Sequence, residues 1–600
     1  ETTEVEAEAN DTPVTEQIPP PATVVSEELP KAQVPSTDQP NTEVPSNPKA
    51  NPQAPDTETS GIWWIPQVNQ SILEQPTWVA FDMETILMDT LRSSPRIQSV
   101  SSRTSIAIET IIQQDAAFDS SILFDTGLGR VNDPVGSDLT TGGPPRLIQD
   151  TFDARAGVRR TTRRGTTIDL SQEIGTENSN STFFDPIDQG SSRLALSLTQ
   201  PLLDRSGRVY NERLLTQARI DSRISWQEMR GEVEQRVADV MTAYWNLYEL
   251  RCHLLQQIDL LRRGQRIESL VIARQKFDTS RIELAKARQR VARRQDQVVL
   301  LDAEVRRQQT RLAGLVGAEA LLNAAGKLEL IPNETPNYVP IKVDLRSAVQ
   351  QGLENRPEIR AATKQLESAA LSIRVTRAEL VPKLDAVLDA YLAGINGDYD
   401  IIQSLGDQFS EGGPGISAAL LYDMPHGRRA AKSRVRQAQY RFRQRSEDLR
   451  ETIQITQTQI ETAVTAVDAA TALQVTRQRL LDTAIEEERI LTRRWQLMAG
   501  DGHTVGTVLE NLLDAQQRRT DAEREWTSAQ TQYMNALIDL QRAMGTLLIH
   551  SGIEPIHQPG TSEVHFAHPA GGLFLPLPGT PPEQISTPIL TDKGLIDESE

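Results

Sequence analysis

The chain has 600 residues, a formal net charge of −19, 4% aromatics and a single cysteine. Lone Cys252 excludes an intrachain disulfide and a cysteine-based metal site. The negative charge sits at the ends. Residues 1–60 hold twelve acids against two lysines and residues 551–600 seven against one, so the body keeps 63 acids and 60 bases, with no surplus to attract nucleic acid. No apolar run reaches the ~18 residues of a transmembrane helix, but a β-barrel needs only strands of ~9–11 alternating residues.

In chain order, residues 1–60 are rich in Pro, Thr, Glu, Val and Asn without periodicity. They are read as a disordered acidic tail that cannot bury enough apolar surface to offset ordering entropy. A first structural repeat is expected over 61–330 and a second over 331–550. The first opens with a short helix over Asp82–Thr90, a stop at Ser94-Pro95 and a second helix over Arg96–Gln114. The second uses the same device: Asp344–Leu353, Arg356-Pro357, then Glu358–Arg377. In each, the proline suits the first turn of the following helix, where its missing N–H costs nothing.

Period-two strands follow. Phe118, Ser120, Ile122 and Phe124 share one face of Ala117–Asp125, and Leu384, Ala386, Leu388, Ala390 and Leu392 one face of Leu384–Leu392, with acids on the other face. Two further strands end at Pro201 and Pro425, making four. Between them the first copy carries a long Gly/Asp/Thr/Arg-rich insert, 126–191. Within it Phe152–Val158 and Thr166–Ile174 suggest an additional hairpin around Gly165. The second copy has only about 20 residues there, 393–414.

Two proline-free stretches come next, Leu202–Ile331 and His426–Glu554, crowded with Ala, Gln, Arg, Glu and Leu. That composition marks long helices. Val233, Val237, Val240, Tyr244, Leu247, Leu250, Leu254, Ile258 and Leu261 step by three or four and form one apolar seam. A helix from Gly207 to Lys276 would run ~105 Å and has to pack against partners of similar length. Phe277-Asp278-Thr279-Ser280 breaks the first stretch, and the run Ala499 to Gly506, with Gly500, Gly502 and Gly506, breaks the second. Short turns of this kind make antiparallel helical hairpins. Residues 551–600 read as a second proline-rich acidic tail. The chain is therefore expected to be mainly α with a small β part: strands and a long helical hairpin, twice over.

No P-loop, dinucleotide fingerprint or HExxH is present. His565 and His568 form the only close histidine pair and have no further ligands nearby, so neither a metal nor another cofactor is expected. Trp63-Trp64 suits either a membrane interface or packing on the helical body.

Leu196-Ser197-Leu198-Thr199-Gln200-Pro201-Leu202-Leu203, Ala243-Tyr244-Trp245-Asn246-Leu247, and the last arm from Leu512-Leu513-Asp514-Ala515-Gln516 through Tyr533-Met534-Asn535 to Ala543-Met544-Gly545-Thr546-Leu547 together resemble the TolC family of outer-membrane efflux channels. The resemblance implies a homotrimer in which each protomer gives four strands to a shared 12-stranded β-barrel in outer-membrane lipid. Each would also give four helical runs to a periplasmic α-helical barrel. It implies a passive exit duct for small molecules or polypeptides, with a periplasmic adaptor protein docking on the hairpin tips (Phe277, Asp278, Thr279, Ser280, Gly500, Gly502, Gly506) and an inner-membrane pump behind it. The family closes its periplasmic end with polar residues, often two aspartates one turn apart. Asn511 and Asp514 occupy those positions here and share a helix face. They are the candidate pore constriction, with half the charge of the two-aspartate pattern. The competing expectation is a periplasmic coiled-coil adaptor or scaffold. Two hairpins, each preceded by a strand pair, count against it.

Overall fold

The computed structural model describes residues 62–574, except 74, 138, 140, 275–280, 325, 337–338, 498–501, 558–562 and 569–571. All of them lie in one unit, Ser60–Glu600. Helix α1 (Ile65–Val68) and strand β1 (Thr77–Phe81) precede α2 (Met83–Ser93) and α3 (Pro95–Asp115). Four strands follow: β2 (Ser120–Pro134), β3 (Arg146–Thr161), β4 (Thr167–Ser179) and β5 (Asp188–Pro201). The first long arms are α5 (Arg213–Arg274), entered through the single turn α4 (Arg208–Asn211), and α6 (Arg281–Val316). After α7 (Glu319–Asn323) and β6 (Leu328–Pro332) come α8 (Leu345–Asn355), α9 (Pro357–Ala378), β7 (Lys383–Asn396), α10 (Ile401–Ser410) and β8 (Gly415–Asp423). The second long arms, α11 (Arg429–Leu497) and α12 (Gly502–Ala543), lead to α13 (Leu547–His550) and three short strands, β9 (Glu554–His557), β10 (Val564–His568) and β11 (Gly572–Phe574).

Pro95 and Pro357 sit in the first turns of α3 and α9, as their spacing predicts. Asp344 caps α8 by accepting the Ser347 N–H at 2.9 Å. Helices α5 and α11 run 62 and 69 residues, roughly 90–105 Å at 1.5 Å per residue. Their length is stabilised by packing rather than propensity. Val233, Val237, Val240, Tyr244 and Leu247 of the seam are all fully buried. They belong to a core shared by α2, α5, α6 and α12. A second core joins α8, α11 and α12 around Ile460, Val467 and Tyr533. Trp64 is buried edge-on against Trp526, and Trp63 donates its indole N–H to Glu523 at 3.3 Å. The tryptophan pair therefore packs on the helical body.

The sheet departs from the four-strand expectation. Six antiparallel strands pair in the order β2-β3-β4-β5-β7-β8. The insert 126–191 is not a loop: β2 runs on to Pro134, and the hairpin around Gly165 is a full strand pair inserted between β2 and β5. Twelve strands for three copies was a count of four apiece, and this chain supplies six. The second tail differs too. Residues 554–574 include a three-stranded sheet, β11-β10-β9, whose Phe566 is fully buried in the core of the helical arms. Val564 and Phe566, buried at alternate positions of β10, were hidden in the sequence by the prolines around them.

Candidate functional site

Two regions bear on function: the faces of the six-stranded sheet and the helix ends near the hairpin tips.

Pairing fixes which side chains share a face, because strand side chains alternate. Ile122, Val158, Leu170, Leu196, Ala390 and Ile416 form one row across all six strands. The row beside it on that face reads Phe124, Ala156, Gln172, Leu194 and Leu392. This face is exposed: Ile122 is 85%, Phe124 72% and Leu420 70% accessible. The opposite face carries rows such as Asp125, Arg155, Glu173 and Arg193, and Ser121, Arg159, Asp169, Ser197, Asp389 and Ser417. There Arg159 meets Asp169 at 2.6 Å and Ser197 donates to Asp389 at 2.6 Å. An exposed apolar face backed by a charged one suits a sheet with hydrocarbon on one side and water on the other. The strands have 13–16 residues, except nine in β8, enough to cross a bilayer when tilted.

At the far end of the long arms, Ile267, Val271, Leu284, Trp495, Val508, Leu509, Leu512 and Leu513 form a small core that ties α5, α6, α11 and α12 together. It fixes the polar side of α12. Asp514 is half-exposed and pairs with Arg290 of α6 at 2.6 Å. One turn nearer the tip, Glu510 pairs with Lys286 of α6. Asn511 is exposed on the same helix. The two candidate residues are therefore brought together, i and i+3, as their spacing requires. Their surroundings are nevertheless not simply acidic: each acid of this turn faces a base. Arg290 and Lys286 were missed because they lie more than 200 residues away in sequence. The only available signal was basic residues spaced by four on α6, which any solvated helix has.

Behind these pairs the charges become buried. Arg294 donates to the carbonyls of Leu260 (3.0 Å) and Leu513 (3.3 Å) and to Gln516 (3.1 Å). Burial, with Arg263 and Arg290 nearby, pushes its guanidinium down to about 10. Arg263 and Arg519 both hold Glu488, at 2.8 and 3.0 Å, and Arg519 also holds Glu523 at 2.9 Å. Burial raises the Glu523 carboxyl despite its arginine neighbours. This network links α5, α11 and α12.

Of the tip residues, Phe277, Asp278, Thr279, Ser280 and Gly500 lie outside the described residues. Gly502 and Gly506 are not in a turn: α12 begins at Gly502. A Cβ on Gly506 would run into the Glu283 carboxylate of α6, so the glycine allows two helix starts to approach closely.

Comparisons with known proteins point the same way. Residues 348–546 match the model of the outer membrane efflux protein family. That match spans about one third of the chain. This chain shares its fold, long helical arms joined to an antiparallel sheet, with solved outer-membrane channels. It is 28% identical over 299 residues to the pyoverdine export outer membrane protein OpmQ of Pseudomonas putida, across 48% of this chain and 56% of the relative. The chain thus spans little more than half the length of that relative. The crystal structure of the Campylobacter jejuni CmeC outer membrane channel superposes with a TM-score of 0.57 at 13% identity, covering 85% of this chain and 94% of that one. The outer membrane protein VceC of Vibrio cholerae gives 0.56 at 17% identity, covering 77% and 96%.

Proposed function

We propose that this chain is an outer membrane efflux protein, three copies of which close one β-barrel in the outer membrane and one α-helical barrel in the periplasm. Together they form a passive exit duct for small molecules or polypeptides. The observation that carries the reading is the two-faced sheet. A soluble coiled-coil adaptor has no use for an exposed row of Ile122, Val158, Leu170, Leu196 and Ile416 backed by charge. The sheet also has two unpaired edges, β2 and β8. Open edges must be covered or paired, and closing them on further copies removes both. With six strands each, three copies give a barrel of 18. The two runs of elements, each with a helix pair, sheet strands and a long hairpin, read as two copies of one unit.

The duct needs energy from elsewhere. We assign the hairpin tips (Phe277 to Ser280, Gly500, Gly502, Gly506) to a periplasmic adaptor joined to an inner-membrane pump. The constriction is assigned to Asp514 and Asn511 with their partners Arg290 and Lys286. A ring of fixed charges at close quarters selects ions by sign. Asp514, Arg290, Glu510 and Lys286 sum to zero in each protomer.

Single-channel recording of the detergent-purified protein in a planar bilayer, with its native mass measured beforehand, tests this. The expected result is a trimer that inserts and conducts. D514A should leave one uncompensated arginine per copy and shift selectivity toward anions. R290A should leave one extra carboxylate per copy and shift it toward cations. A monodisperse species that stays in solution without detergent and never inserts would sink the proposal. Unchanged selectivity in both variants would remove these residues from the pore.

A further inference from the structure

Helix α10, in the connection between β7 and β8, lies against the apolar face of the sheet, not the charged one. Ser192 donates to the carbonyl of Ser404 at 2.6 Å, and Gln172 donates to Gln408 at 3.3 Å. Ser192 shares its row with Ala154, Ile174 and Gly394, and Gln172 its row with Phe124, Ala156, Leu194 and Leu392. The Gln172 row is otherwise apolar and the Ser192 row has only Thr126 as a further polar member, at the far edge in β2; both Ser192 and Gln172 sit beneath the helix. Asn396, at the strand end, donates to Asp407 at 2.8 Å.

The sheet is shaped to receive the helix. A Cβ on Gly394 would strike the Ser404 carbonyl and the Gln408 amide, and one on Gly190 would meet the Asp400 backbone at 2.7 Å. These two glycines permit an approach that no other residue allows. The helix therefore turns its polar side inward, with Ser404 and Gln408 buried, and its apolar side outward. Ile402 is 83% and Phe409 65% exposed. Positions 402 and 409 fall on one helical stripe, flanked by Leu405. In water this arrangement is inverted.

We propose that α10 is an interfacial helix whose outer face, Ile402, Leu405 and Phe409, is embedded among lipid acyl chains of the leaflet far from the helical arms. This rests on the membrane reading of the sheet. Continuity carries the choice of lipid as the occupant. The helix covers the polar residues of the lipid-facing surface and restores an apolar surface above them, at the same end of the strands as the 396–415 connection. The Gln172 amide also donates to the Glu173 carbonyl at 3.1 Å, so in hydrocarbon an uncovered Gln172 would leave its second amide proton without an acceptor, at a cost of roughly 1–3 kcal/mol. A second copy is disfavoured as the occupant, because α10 packs mainly on β7 and β5, strands inside the sheet, rather than along the edges where copies would join. Lying in the interface with a polar edge on protein and an apolar edge in lipid is the arrangement of an amphipathic monotopic helix.

The test uses the full chain reconstituted in phosphatidylcholine vesicles and labelled with a small environment-sensitive fluorophore at I402C or F409C. L128C, on the apolar sheet face, and D153C, on the charged face, are the references. Native Cys252 is fully buried and stays unlabelled. Nitroxide on the acyl chains should quench the labels at 402 and 409 within about twofold of the label at 128, and aqueous iodide should quench only the label at 153. Iodide quenching at 402 and 409, with 128 still quenched from the lipid, would overturn the proposal while keeping the membrane reading. Protection from both quenchers would mean that protein covers this face, and would overturn it as well. Loss of lipid quenching at 128 would end the membrane reading itself.

Discussion

Arg251 and Glu329 are both fully buried and 2.6 Å apart. Glu329 also accepts the Ser71 hydroxyl and the N–H groups of Ile72 and Leu73, while Arg251 donates to the carbonyls of Val68 and Gln70. The pair thus ties the N-terminal segment and β6 to α5. R251M would strand a buried carboxylate and orphan two carbonyls, a loss of ~3–5 kcal/mol. The melting temperature by circular dichroism should fall sharply, and R251M/E329Q, which removes the stranded charge but keeps an acceptor for Ser71, Ile72 and Leu73, should recover part of it. Glu234 is a different case. It is almost fully buried and accepts the Leu547 N–H at 3.1 Å, where α13 meets α5. Burial, opposed by Arg230 and that N–H and reinforced by Glu358, raises its carboxyl to about 7 from an ordinary 4.5. Between those values the folded protein holds a proton that the unfolded chain releases. Stability therefore falls as pH rises through this window, by at most ~3 kcal/mol, and the loss is complete above pH ~7. E234Q should melt at nearly the same temperature at pH 5 and pH 8, where the parent loses stability. A parent that is equally stable at both would show that Glu234 is ionised throughout. Asp514 was legible because an acid and an amide one turn apart stand out on any helix. Arg290, its partner, was not, because ion pairs across separate helices leave no local pattern.

Elements were legible wherever the local rule and the tertiary environment agree. Pro95 and Pro357 mark helix starts, the Val233 seam marks a buried stripe, and the alternation before Pro201 and Pro425 marks strands. Helix α10 was not, because its ten residues bury Ser404 and Gln408 and expose Ile402 and Phe409, the reverse of the ordinary code. The β3–β4 hairpin shows how an inserted element is secured. Its turn reaches the junction between sheet and helices, where Arg163 pairs with Asp115 at 2.7 Å, the last residue of α3, and approaches Glu212 at 3.5 Å, just before α5. Gly165 has φ +92°, and a Cβ there would meet the Asn211 amide at 2.6 Å and Pro201 at 3.0 Å. G165V combines a left-handed backbone penalty of roughly 1–2 kcal/mol with that collision. It should loosen the hairpin, and the oligomer should dissociate at a lower temperature on semi-native gels. R163A, which removes these partly exposed ion pairs and a guanidinium stacked 5.4 Å over the Phe118 ring, should shift the same transition less than G165V does.

For the whole molecule, the strand count matters most. A barrel's diameter grows roughly linearly with its strands, so in the proposed three-copy assembly 18 in place of 12 would make it about half again as wide. Excising both β3 and β4 preserves antiparallel direction between β2 and β5. It also preserves their faces, because Ile122 and Leu196 already lie in one row. A variant lacking 146–179 should therefore close as a narrower barrel of 12, distinguishable from the parent by electron cryomicroscopy of the purified trimer. Its conductance is the sharper measurement. If the narrowest point is the ring around Asp514, at the opposite end of the long arms, width at the barrel is not limiting. The variant should then conduct within about twofold of the parent and keep its ion selectivity, since the fixed charges that set it are untouched. A conductance that falls with barrel area would move the constriction into the membrane. A parent that itself shows 12 strands would mean that β3 and β4 leave the sheet when the copies assemble.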